Sequence, residues 1–81
     1  MGEIIVVIKS RAGALRFYDE LRSYNISCRL INTPKEAKTG CGLSVKLLAK
    51  DLKRAQIILS RGIVGVEGIF SVERGGLKRI G

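Results

Sequence analysis

A run of five apolar, β-branched residues near the start of the chain, Ile4 to Ile8, is the feature that most constrains the fold. Such residues favour an extended backbone. Side chains alternate between the two faces of a strand, so a run without polar residues is apolar on both faces. The sequence therefore predicts a strand over 3–9 that is buried on both sides.

Two later segments have the spacing of amphipathic helices. Ser10 is a predicted N-cap for a helix over 11–24, and Asn25 is a predicted left-handed stop. A second helix is predicted over 51–61, followed by Gly62. The predicted inner faces consist of Ala14, Phe17, Tyr18 and Leu21 in the first helix, and Leu52, Ala55, Ile58 and Leu59 in the second.

Three further strands complete the pattern, over 26–32, 43–48 and 63–73. Their polar and apolar residues alternate in large part, and Val64, Val66, Phe70 and Val72 are predicted to share one face of the last strand. The order β-α-β-β-α-β predicts an α+β, ferredoxin-like βαββαβ sandwich: an antiparallel four-stranded sheet with two helices on one face. Residues 1–73 form a single predicted domain. Residues 74–81 are either a basic C-terminal tail or a short extra strand returning through Gly75-Gly76.

Helices on one face leave the opposite face of the first strand open in this arrangement. Ile4, Val6 and Ile8 would take one side, and Ile5 and Val7 the other. Apolar surface of that kind usually meets a partner. We therefore expect a homodimer that covers part of the sheet or its edge.

The net charge is +8, from 15 basic and 7 acidic side chains in 81 residues, and it favours anionic partners. Weak, electrostatic nucleic-acid contact is one expectation, with solubility as the simpler explanation of the charge. The predicted third strand has no aromatic residue, unlike the base-stacking strand of an RNA-recognition motif.

Several classes of chemistry are excluded by composition. The chain has no histidine, so Ser-His and Cys-His nucleophilic catalysis cannot operate. Two cysteines do not supply the four ligands of a zinc site. We therefore expect no enzyme activity, no metal and no cofactor. No membrane span or signal peptide is predicted, and the expected location is the cytoplasm, where both cysteines would be free thiols.

The segment 33–42, Thr-Pro-Lys-Glu-Ala-Lys-Thr-Gly-Cys-Gly, is the one candidate for chemistry. Cys41 lies between Gly40 and Gly42, which remove side-chain bulk and let backbone N–H groups converge on an anion. Positive charge from nearby lysines would lower the thiol pKa; these are Lys35, Lys38 and Lys46. A tight turn with an incidental cysteine is the alternative. Cys28 alternates with apolar neighbours, which predicts a packing role.

This loop resembles the T-P-R-x-x-S-S-S-C-G segment of the selenium/sulfur carrier protein-like family. The resemblance extends over residues 3–71 and includes Lys9-Ser10, Ala14 and Phe17, and the Val66–Phe70 segment. It implies that Cys41 accepts sulfur or selenium as a persulfide or selenosulfide and passes it on. The residues that carry over are Thr33, Pro34, Lys35, Cys41 and Gly42.

The chain departs from the family pattern at two places. Lys35 replaces an arginine. This replacement keeps the positive charge but loses the planar guanidinium group, which can bind an anion through two hydrogen bonds. Residues 37–40 replace most of the serine-rich stretch, so fewer hydroxyl groups are available to a sulfur anion. The expected partners are donor and acceptor proteins for sulfur or selenium. A non-catalytic interaction or regulatory domain is the second hypothesis, and an electrostatic nucleic-acid binder is the third.

Overall fold

A computed structural model describes residues 2–37 and 42–81 of the chain. These residues form two α-helices and five strands, with short 3-10 turns before the second helix and after the second strand. In chain order the elements are β1 (Glu3–Ile8), α1 (Arg11–Ser23), β2 (Cys28–Asn32), β3 (Leu43–Leu48), α2 (Leu52–Leu59), β4 (Val66–Glu73) and β5 (Gly76–Arg79).

All five strands belong to one antiparallel sheet in the order β2-β3-β1-β4-β5. The predicted α+β class and the β-α-β-β-α-β order through β4 are confirmed. The predicted number of strands is wrong, because the sheet has five strands and not four. After a turn at Arg74-Gly75, the chain returns as β5, and its N–H and C=O groups pair with the open edge of β4.

Both helices pack on the same side of the sheet. Ser10 caps α1 as predicted, its hydroxyl accepting a hydrogen bond of 3.1 Å from the Gly13 N–H. Asn25 ends the helix region with the predicted left-handed backbone, at φ 60°. The core under the helices buries alternate residues of β1 together with the inner faces of α1 and α2, namely Ile4, Val6, Ile8, Ala14, Phe17, Leu21, Ala55 and Ile58.

The opposite face of the sheet is also covered, which corrects the predicted open face. Ile5 and Val7 are only 3% and 2% exposed. They pack with Phe70 of β4 and with Ala37, which reaches this face from the segment after β2. Leu77 of β5 packs against the same group. The homodimer prediction rested on exposure of this face, and it stays a prediction without that support.

The last long strand begins later than predicted. β4 starts at Val66 instead of residue 63, and its register against β1 shifts between Val7 and Ile8. Val64 lies before the strand, and the shift pairs Val66 with Ile8, whose side chain packs in the core under the helices. Both valines are exposed, so the prediction that they share a face with Phe70 and Val72 is wrong. A left-handed Gly65, at φ 85°, precedes the strand.

Two other elements are shorter than expected. The first residues of the predicted strand 26–32 lie outside β2, which begins at Cys28. The predicted helix 51–61 is preceded by a 3-10 turn over Ala49–Asp51, and its α-helical part ends at Leu59. Within the described residues, neither helix combines the length and the apolar character needed to cross a bilayer.

Candidate functional site in the loop between β2 and β3

The loop from Thr33 to Gly42 is closed at its base by a group of hydrogen bonds. The Gly42 carbonyl accepts from the Thr33 N–H at 3.1 Å and from the Thr33 hydroxyl at 2.9 Å. The Thr33 Oγ1 also lies 2.8 Å from the hydroxyl oxygen of Ser44, which is fully buried. Thr33 was predicted to shape the loop, and it joins the two ends directly.

The first half of the loop is attached to the sheet. Lys35–Ala37 form a 3-10 turn, in which the Pro34 carbonyl accepts from the Ala37 N–H at 3.1 Å. Ala37 is buried against the face of the sheet that contains Val7 and Phe70. The methyl group of Ala37 therefore anchors this part of the loop, while Lys35 remains exposed to solvent.

The loop base lies at the end of the sheet where β1 leads into α1. A Cβ placed on Gly42 would lie 3.5 Å from the Ile8 carbonyl and 3.9 Å from the Lys9 Cα. The φ of Gly42 is 149°, a conformation that side chains rarely adopt. Gly42 directly follows Cys41 in the sequence. The loop is therefore held beside Ile8 and Lys9 at the residue next to the cysteine.

Of the lysines predicted to stabilise a thiolate, the structure describes two. Lys35 is exposed in the 3-10 turn. Lys46 is on β3, where its Nζ lies 3.4 Å from Glu3 Oε1. Its ammonium group therefore already has a carboxylate partner. Lys38, Gly40 and Cys41 itself lie outside the described residues, so the exposure and pKa of the Cys41 thiol stay predictions.

Cys28, the second thiol, is only partly buried, whereas its alternation predicted a core position. It packs against the core on the helix-covered face, and its Sγ lies 3.9 Å from the Tyr18 carbonyl oxygen. Burial raises the pKa of Cys28, and the nearby Arg22 guanidinium opposes this in part. The thiolate is the reactive form, so Cys28 is suited to packing rather than to attack at neutral pH.

The buried hydroxyl of Ser44 was missed by sequence reasoning. Its signal in the sequence was a small polar residue, Ser44, between apolar Leu43 and Val45 at the start of a predicted strand. A buried hydroxyl needs a hydrogen-bond partner, and Thr33 supplies one. No group of three or more potential metal ligands (His, Cys, Asp or Glu) occurs within residues 2–37 and 42–81.

Comparison with protein families matches residues 3–71 to the family described as "Putative Se/S carrier protein-like". The chain belongs to this family. The match covers β1 to most of β4 and ends before β5, the strand that helps to cover the second face of the sheet. Comparisons with curated proteins and with solved structures found no match.

Proposed function

We propose that the protein is a thiol-based carrier that holds sulfur or selenium on Cys41 and transfers it to a partner protein. Membership of the Se/S carrier protein-like family, over residues 3–71, is the observation that carries this proposal. The fixed base of the loop at Thr33 and Gly42 supports it, because a carrier thiol must be presented in a defined place. A carrier of this kind works with donor and acceptor proteins and is expected in a reducing cytoplasm.

The transfer step is an exchange at a sulfane sulfur. The Cys41 thiolate attacks the terminal sulfur of a donor persulfide, R–S–SH, and forms a new S–S bond. The donor's S–S bond breaks, and its inner sulfur leaves as a thiolate, R–S⁻. The terminal sulfur keeps its proton, so the products are Cys41–S–SH and the donor thiolate. No external oxidant or reductant is needed, and the same step with selenium gives a selenosulfide.

The surroundings of the two cysteines favour reaction at Cys41 rather than at Cys28. Gly42 adds no side chain beside the thiol, and Lys35 places a solvent-exposed positive charge in the same loop. Positive charge near a cysteine favours the thiolate. Cys28 has the opposite tendency, because its burial raises its pKa.

Intact-mass measurement after incubation with a cysteine desulfurase and cysteine tests the proposal. We expect the wild-type chain to gain the mass of one sulfur atom, and a reducing agent to remove it. Cys41→Ser should abolish the gain, whereas Cys28→Ser, the matched control, should retain it. A gain that persists in Cys41→Ser and disappears in Cys28→Ser would contradict the proposal.

A parallel incubation with a selenium-releasing enzyme and selenocysteine distinguishes the two chalcogens. Addition of one selenium atom to Cys41 only in that reaction would assign the carrier to selenium. Addition of sulfur only in the desulfurase reaction would assign it to sulfur.

A further inference from the structure

Two exposed valines lie close to the base of the loop. Val64 is 65% exposed and Val66 is 39% exposed, although the chain has a well-filled core on both faces of the sheet. They flank Gly65 at the start of β4, where the register against β1 shifts. Bulges and irregularities of this kind are common beside functional sites, where they redirect side chains.

Close backbone packing fixes these valines beside the start of α1. The Lys9 N–H donates to the Gly65 carbonyl at 2.6 Å. A Cβ on Gly65 would lie 2.8 Å from the Ser10 nitrogen, and a Cβ on Gly13 would overlap the Val64 carbonyl oxygen. The absence of side chains at Gly13 and Gly65 is therefore what lets the valine segment pack this closely.

The same Lys9 backbone also contacts the loop base. Gly42 lies beside Ile8 and Lys9 on the side of β3, and Gly65 lies beside Lys9 on the side of β4. Residues 8–10 thus connect the end of the cysteine loop to the exposed valines.

The surroundings of the valines are predominantly basic. Lys9 and Arg11 are exposed on the segment that connects the loop base to α1. Glu67, next to Val66 in the sequence, is the acidic residue closest in sequence and is also exposed, so the two cations outnumber it. We call Lys9, Arg11, Val64 and Val66 together the Val64 patch.

We propose that the Val64 patch is the docking surface for the protein that delivers sulfur to Cys41, and that this partner has an apolar contact surrounded by carboxylates. The inference rests on the proposed carrier function. Exposed apolar residues would form the centre of the contact, and Lys9 and Arg11 would attract the acidic rim and align the partner. Gly42, the residue after Cys41, and Gly65 both lie beside the main chain of residues 8–10, so a donor docked on the patch lies near the base of the loop.

Two other occupants fit the patch less well. A second copy of the chain would place Lys9 and Arg11 near identical cations, since a two-fold contact juxtaposes the same surface. Single-stranded nucleic acid is bound through aromatic rings on which bases stack, and the patch has valines in their place. An acidic protein surface satisfies both the cations and the apolar residues.

The test compares sulfur transfer from a protein donor and from a small molecule. The rate of Cys41 persulfidation is measured with a cysteine desulfurase plus cysteine, and separately with inorganic polysulfide. Val64→Asp introduces a charge at an exposed position, and Arg11→Glu reverses a charge in the first turn of α1, where an acidic residue is compatible with the helix. Ile57→Asp, at a residue of α2 that is 56% exposed, is the control for adding a surface charge elsewhere.

We expect Val64→Asp and Arg11→Glu each to slow transfer from the desulfurase by about tenfold, the effect of losing one important interface contact. Transfer from polysulfide should be unchanged, and Ile57→Asp should resemble wild type with both donors. Desulfurase transfer at the wild-type rate in both patch variants would overturn the docking proposal. Failure of wild-type Cys41 to accept sulfur from either donor would instead refute the carrier function on which it rests.

Discussion

The substitution Thr33→Val tests whether the loop base is held by the hydrogen bonds of the Thr33 side chain. Valine has nearly the same shape as threonine but lacks the hydroxyl group. The Thr33 hydroxyl has a single hydrogen, which it donates to the Gly42 carbonyl at 2.9 Å. The contact of 2.8 Å with Ser44 must therefore have Ser44 as the donor and Thr33 as the acceptor.

The expected loss of stability in Thr33→Val follows from the hydrogen bonds that Gly42 and Ser44 would lose. The Gly42 carbonyl keeps its bond of 3.1 Å from the main-chain N–H of residue 33, so it stays satisfied. The Ser44 hydroxyl is fully buried and would lose its acceptor. An unsatisfied buried donor costs about 1–3 kcal/mol. For a domain of this size, that corresponds to a fall in the melting temperature of roughly 4–24 °C.

Urea unfolding of four variants measures the effect: wild type, Thr33→Val, Ser44→Ala and the double variant. We expect Thr33→Val to be the less stable single variant. It leaves the buried Ser44 hydroxyl without an acceptor, whereas Ser44→Ala removes that hydroxyl altogether. Adding Ser44→Ala to Thr33→Val should raise the free energy of unfolding by about 1 kcal/mol relative to Thr33→Val alone. Wild-type stability in Thr33→Val, or no recovery in the double variant, would refute this account of the loop base.

Three further predictions concern the thiols, a glycine and the net charge. Iodoacetamide should alkylate Cys41 before Cys28 at neutral pH. In a plot of alkylation rate against pH, the inflection for Cys28 should lie above that of a model thiol, because burial raises the pKa of Cys28. Faster alkylation of Cys28 than of Cys41 would contradict this prediction. Gly65→Ala should lower the unfolding midpoint, because the new Cβ would lie 2.8 Å from the Ser10 nitrogen at a φ of 85°. Gly75→Ala, where a Cβ meets nothing within 4 Å, is its control, and equal midpoints would refute the packing argument. Any binding to RNA should weaken steeply with added salt in filter-binding or anisotropy assays, because phosphate contacts release counterions; tight binding that survives physiological salt would favour the nucleic-acid hypothesis.

Local signals in the sequence predicted the elements well. The Ser10 cap and the left-handed Asn25 depend on residues within one or two turns, and both are confirmed. The apolar run in β1 indicated burial on both faces, and all five residues are buried, although the face opposite the helices was expected to be left open. These features depend on side-chain alternation, helix capping and backbone preference, all of which act between near neighbours.

Long-range packing was harder to predict. The second face of β1 is covered by Ala37, about thirty residues later in the chain, and by Leu77, close to its end. Neither residue carries a periodic signal, because Ala37 belongs to a short turn and Leu77 to a four-residue strand. The base of the candidate site was predicted at Thr33 and Gly42, but its buried partner Ser44 was not, because a serine in a strand is most often exposed.

The central position of β1 has a consequence during synthesis of the chain. β1 is made first, yet its two neighbours, β3 and β4, begin only at Leu43 and Val66. Until β4 has emerged, one edge of the uncharged, β-branched segment Ile4–Ile8 therefore lacks its native partner. Such a segment is prone to aggregate when exposed. A nascent chain that stalls before Val66 would accordingly need a chaperone, whereas the finished protein encloses the same segment completely.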